Sequence, residues 1–206
     1  MFYLTPRLVR RALLPASFLV LGAGLVASAA VFFYGRSFDL KAAILSDLES
    51  PTENPHGYGV AAAAIVACGV LLAAMVVVFT RYTRMRSPVL ALAGGWVSAF
   101  GVGAVLAIGA LAPFTSGYSP LHIQLAYAAF AGICGGTVLL LAAARANAVV
   151  IAAQFVVFLF VVYLYFGPDF MSNDRLLTSL AFWEWMLCCD CGVALWLLAR
   201  AVERLD

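Results

Sequence analysis

The chain has 206 residues, 65% of them hydrophobic and only 11% charged, with a mean hydropathy of +1.03 and a net charge of +2. Soluble domains carry roughly 25% charged residues, and a chain of this length has too little interior to hide so much apolar surface from water. A water-soluble globule is therefore excluded. Outside the apolar runs no basic stretch with interleaved aromatics points to nucleic acid.

A hydrocarbon core of about 30 Å needs roughly 20 apolar residues per helix. The first run that qualifies covers residues 12–34 and follows Arg7, Arg10 and Arg11. Its end, Ala27-Ser28-Ala29, imitates a signal-peptide cleavage site, but 23 residues exceed a secretory core of roughly 7–15. It reads as the first span. The next segment, 35–57, is the one long loop, with Pro51, Pro55 and a dense polar set; residues 39–48 fit a short amphipathic helix ended before Pro51.

Five further spans follow at 58–79, 88–112, 121–144, 148–166 and 176–199. Pro88 opens the third. Ser119-Pro120 gives the fourth a capping hydroxyl and a first-turn proline, and Gly167-Pro168 stops the fifth. Helices are required because an open strand leaves backbone groups unpaired in lipid. The predicted fold class is thus all-α: one polytopic membrane domain over residues 1–206, a six-transmembrane-helix bundle.

Orientation follows from the basic residues of the short loops. Arg7, Arg10, Arg11, Arg81, Arg84, Arg86, Arg145, Arg200 and Arg204 fall on one side; Arg36, Lys41 and Arg175 fall on the other. Nine against three places both termini in the cytoplasm, in a plasma membrane or endomembrane. The outer side is acidic, with Asp39, Asp47, Glu49, Glu53, Asp169 and Asp174.

Small residues crowd three spans: Gly22, Gly24 and Ser28 in the first, Gly94, Gly95, Ser98, Gly101 and Gly103 in the third, Gly132, Gly135 and Gly136 in the fourth. Such residues let helix backbones approach closely, which predicts a tightly packed bundle; a homo-oligomer seam is the alternative use.

Ionisable groups inside spans are costly, so each needs a reason. His122 lies in the first turn of the fourth span. Glu184 lies roughly 6–12 Å below the outer boundary by helix rise, flanked by Trp183 and Trp185. Together with Ser46, Asp47 and Glu49 of the loop they predict an outer polar pocket. Asp190 sits ~15 Å from the inner boundary and Gln154 at ~13.5 Å, so the two are expected to pair, Asp190 donating to the amide oxygen. Glu184 and Asp190 face about 120° apart on their helix and form no dyad.

The cysteines Cys68, Cys134, Cys188, Cys189 and Cys191 all lie in apolar stretches. Adjacent Cys188 and Cys189 point to different helix faces and lack a second ligand pair, so no metal site is expected; nor is any cofactor. No Ser-His-Asp spacing or nucleophile elbow appears. Besides a structural use, in which these polar residues tie helix ends to the loop and His122 caps a hydrogen-bond network, three roles stay open for the outer cluster: binding or sensing a lipid headgroup or small ligand, lipid hydrolysis or acyl transfer with Ser46 as nucleophile and His122 as base, and proton-coupled or small-solute transport along Glu184 and Asp190.

The residues Ile44-Leu45-Ser46-Asp47, Tyr58-Gly59, Leu121-His122-Ile123 and Glu184-Trp185, in these spans and on one side, resemble the six-span superfamily of the damage-regulated autophagy modulators (DRAM) and the lipid-remodelling factor of GPI-anchored proteins. Members often carry a glycine where Glu49 stands here. The resemblance implies an outer or luminal pocket and a role around membrane lipids, with membrane lipids as partners and no transferable reaction.

Overall fold

The computed structural model describes residues 4–34, 45–115, 119–166 and 180–205. Among them every regular element is helical. Five helices are long and apolar enough to cross a membrane: α1 (Pro6–Phe32), α2 (Tyr58–Arg84), α3 (Pro88–Leu111, drawn out by a 3₁₀ turn over Ala112–Phe114), α4 (Pro120–Ala143) and α6 (Leu180–Glu203). The sixth, α5 (Ala148–Phe166), is equally apolar but shorter at 19 residues.

The helix ends depart from the apolar runs in explicable ways. α1 begins six residues before its run, because Thr5 caps it by accepting from the Leu8 N–H. A π-turn over Val9–Leu13 precedes Pro15; proline lacks an N–H and crowds the carbonyl one turn back, so the ladder loosens there. α2 runs on to Arg84 because charged residues extend a helix readily beyond the hydrocarbon. The expected span 176–199 is helical from Leu180 onward, residues 176–179 lying outside those described. Of the amphipathic helix expected over 39–48, only the turn Leu45–Leu48 falls within the described residues.

Tight contact between α3 and α4 forms the spine. A Cβ on Gly132 would lie 2.5 Å from Gly101 Cα, and one on Gly101 2.7 Å from Ile133 N. Gly136 lies as close to the Ser98 backbone N, at 2.6 Å from an added Cβ. In lipid no hydrophobic drive holds helices together, so this backbone-to-backbone packing must do so. α1 meets α2 through Gly24 against Ala64, and Gly135 of α4 receives the Phe158 ring of α5. A buried apolar cluster including Leu72, Met75, Phe79, Leu140 and Leu198 fills the centre of the bundle.

At the basic end, Arg10 forks onto Glu203 through Nη2 at 3.2 Å and Nε at 2.5 Å, tying the start of α1 to the end of α6. Arg86, Arg145 and Arg204 surround one depression at this end. Arg145 takes φ +53°, and the bonds Ala146 N–H to Leu141 O and Arg145 N–H to Ala142 O close α4 in a Schellman turn where glycine is usual.

Two outcomes are expected. Gly132→Val should abolish recovery of folded protein, since only backbone stands in the way, whereas Gly103→Val, with open space around it, should leave the thermal midpoint essentially unchanged. Arg145→Gly should raise stability by about 0.5–1 kcal/mol by relieving the left-handed conformation, read as a higher unfolding midpoint in detergent.

Candidate functional site: a capped cavity in the bundle

Residues 45–57, ahead of α2, lie over the bundle end opposite the arginines. Leu48 is fully buried against Leu25 and Ala61, with Trp185 at the margin. Its carbonyl accepts from Ser28 Oγ at 2.8 Å and from Asn54 Nδ2 at 3.0 Å. Asn54 Nδ2 also meets Ser28 Oγ at 2.8 Å, while the Asn54 backbone N–H bonds Ser50 O and its carbonyl accepts from the Tyr58 N–H. One buried asparagine thus fastens the cap to α1 and to the start of α2. Gly57 makes room for it, because a Cβ there would fall 2.6 Å from Asn54 Nδ2.

Beneath the cap lies a cavity of about 160 Å³. Its upper wall carries Ser46, Glu49, His122 and Glu184; below, Leu21, Leu25, Ile65, Leu72, Val105, Ile108, Phe130, Ile133 and Leu195 make an apolar shaft. His122 and Ile133 on α4, like Glu184 and Leu195 on α6, are eleven residues apart, so the shaft runs ~16 Å at the helical rise. It is a narrow slot, long enough for an alkyl chain.

The polar groups are held individually. Ser119 caps α4 by accepting from the His122 N–H at 3.1 Å, which fixes the histidine in the first turn, buried. His122 Nε2 stands 3.4 Å from Glu49 Oε1. Glu184 Oε2 accepts from the Leu45 N–H at 2.8 Å, pinning the cap to α6. Glu49 is only 6% exposed, and its Oε2 has no hydrogen-bond partner among the described residues. Burial, and then the charge of Glu184, push Glu49 from an ordinary 4.5 up to about 8, so its contact with His122 is that of a carboxylic acid against an imidazole at neutral pH. Asp47 is buried beside them, within electrostatic reach of Glu184.

The structure therefore brings Ser46, Glu49, His122 and Glu184 to one cavity, with Asp47 behind them. No hydrogen bond joins Ser46 to His122 among the described residues; the imidazole addresses Glu49 instead. Gln154 and Asp190 meet elsewhere, between α5 and α6. The sequence expectation had Asp190 donating to the amide oxygen; in the structure Gln154 Nε2 donates to Asp190 Oδ1 at 3.2 Å, because the carboxyl takes the acceptor role. Asp190 does not line the cavity. Cys68, Cys188 and Cys191 line it as small apolar groups, and Cys191 Sγ touches Cys134 Sγ at 3.8 Å. No three His, Cys, Asp or Glu residues among those described are arranged to hold a metal ion.

Sequence reasoning missed two contributors. Asn54 carried only the turn signal of Asn54-Pro55, which says nothing of burial. Phe18 gave no signal at all. Its ring lies directly on Gly192 of α6, where any Cβ would collide with it, yet it is 43% exposed on the outside of the bundle. Phe18 and Gly192 both line the lower shaft, so this seam between α1 and α6 separates the cavity from the surrounding lipid by one aromatic ring. Comparison with protein families, with curated proteins and with solved structures finds no match to this chain.

The folded Glu49 holds its proton to higher pH than the unfolded chain does. Its contribution is thus complete below 4.5 and lost as pH rises through about 8. The thermal midpoint should fall over that interval in the native protein and fall less in Glu49→Gln; parallel pH profiles would remove Glu49 from this role. Asn54→Leu, similar in size but without the amide, should speed hydrogen exchange across 45–57 while leaving α3 and α4 protected.

Proposed function

We propose that this is a six-span membrane protein with both termini cytoplasmic, resident in a plasma membrane or endomembrane, whose outer cavity binds a membrane amphiphile. The head would sit among Ser46, Glu49, His122 and Glu184, and the chain would lie in the shaft below. The observation that carries this reading is the arrangement itself: these four polar residues gather at one end of a slot whose remaining lining is apolar apart from Ser17, whose hydroxyl donates to the Leu14 carbonyl. Apolar cavities of this kind stay dry, so the slot suits a hydrocarbon chain better than water or an ion.

The Phe18–Gly192 seam supports delivery from the bilayer rather than from water, since Phe18 lies on the lipid-facing surface. Nine basic residues against three in the loops support the orientation. The resemblance to the DRAM-type superfamily points the same way, toward lipids. Binding is preferred to hydrolysis because His122 faces Glu49 and not the Ser46 hydroxyl, so no activated nucleophile is in place. Transport along Glu184 and Asp190 is disfavoured because Asp190 stands outside the cavity.

Native mass spectrometry of protein released from nanodiscs tests the reading. The wild type should retain an amphiphile that His122→Ala and Glu184→Gln lose by about tenfold or more, with unchanged helical content. Equal retention by all three proteins would refute it.

A further inference from the structure

The charges around the cavity go further than the presence of a slot. Asp47, Glu49 and Glu184 are acidic, and the cavity lining holds a single basic side chain among the described residues, His122. Glu49 Oε2 is buried without a hydrogen-bond partner while its residue lines the cavity. An unanswered carboxyl oxygen in a low-dielectric setting costs free energy comparable to a lost hydrogen bond or more, so a ligand that supplies donors here gains what the empty protein lacks.

A phosphate or carboxylate head would bring negative charge beside three acidic side chains and supply no N–H or O–H donor of its own. A hydroxyl would offer one donor and no charge. An ammonium offers three N–H donors and a positive charge to set beside the acidic side chains. The slot below admits one chain of ~16 Å and is too narrow for two side by side at about 160 Å³.

Resting on the amphiphile-binding reading, we infer that the ligand is a single-chain amphiphile with a protonated amine head, held by Glu49 and Glu184 under the cap with its chain directed down the shaft toward Phe18. Selectivity then lies in the carboxyl groups, and the apolar wall contributes affinity without discriminating between heads.

The test uses the full chain in phosphatidylcholine nanodiscs and three radiolabelled probes with the same tail: dodecylamine, dodecanol and dodecanoate. Retention is measured above that of empty nanodiscs. The amine should be retained about tenfold more than either competitor, and Glu49→Gln should reduce amine retention to the level of the alcohol measured in the same variant. Retention of dodecanol or dodecanoate equal to or above that of the amine overturns the charge assignment while leaving amphiphile binding intact. If no probe exceeds empty nanodiscs, the binding reading falls and this inference with it. Should Glu49→Gln lose the alcohol as well, Glu184→Gln replaces it, and undiminished amine retention in that variant also overturns the assignment.

Discussion

Polar groups carried into a bilayer need partners, because lipid supplies none. In this chain the requirement is met at the acidic end by the segment 45–57 turning back onto the helices. Leu48 anchors it by burial, Asn54 and Ser28 answer its carbonyl, and the Leu45 N–H answers Glu184. Without that closure Glu184 would face either lipid or the open mouth of the bundle. With it, Glu184, Glu49 and His122 are enclosed together and a cavity exists beneath them.

The rest of the fold serves to keep that cavity from collapsing or spreading. The glycine contacts of α3 and α4 bring one wall close and rigid, and the Arg10–Glu203 fork fixes α1 to α6 at the far end. Between these ties α1 and α6 touch sparsely, and Phe18 covers the gap. A ring resting on glycine has little to hold it beyond dispersion, so on the proposed reading this is the place in the wall where a chain would pass. The tight seam and the loose seam are thus complementary: one sets the shape of the slot, and the other is where the proposed ligand would enter.

Much of this was legible in the residues because lipid makes simple demands. Apolar length located the helices, and α5 covers the very run expected of it, 148–166. Depth arithmetic was enough to put Gln154 opposite Asp190, since antiparallel helices convert residue number directly into height. The same arithmetic placed His122 and Glu184 at one end. It could not say that the imidazole would address Glu49 rather than Ser46, because that depends on the path of a loop whose turns no periodicity encodes. Nor could it see Asn54, which reads as turn chemistry until the chain folds over it, or Phe18, whose significance comes wholly from the glycine it rests on. Nor does depth fix which partner donates: the amide of Gln154 donates to the Asp190 carboxyl rather than accepting from it.

The central claim is spatial: the cap encloses an acid–histidine group over an apolar slot. An experimental map of the protein in nanodiscs at side-chain resolution tests it most directly. The account predicts Glu49 against His122, Glu184 on the Leu45 amide, and elongated density running from them toward Phe18. A map in which residues 45–57 stand clear of the bundle, or in which His122 and Glu184 turn to different flanks, would contradict it.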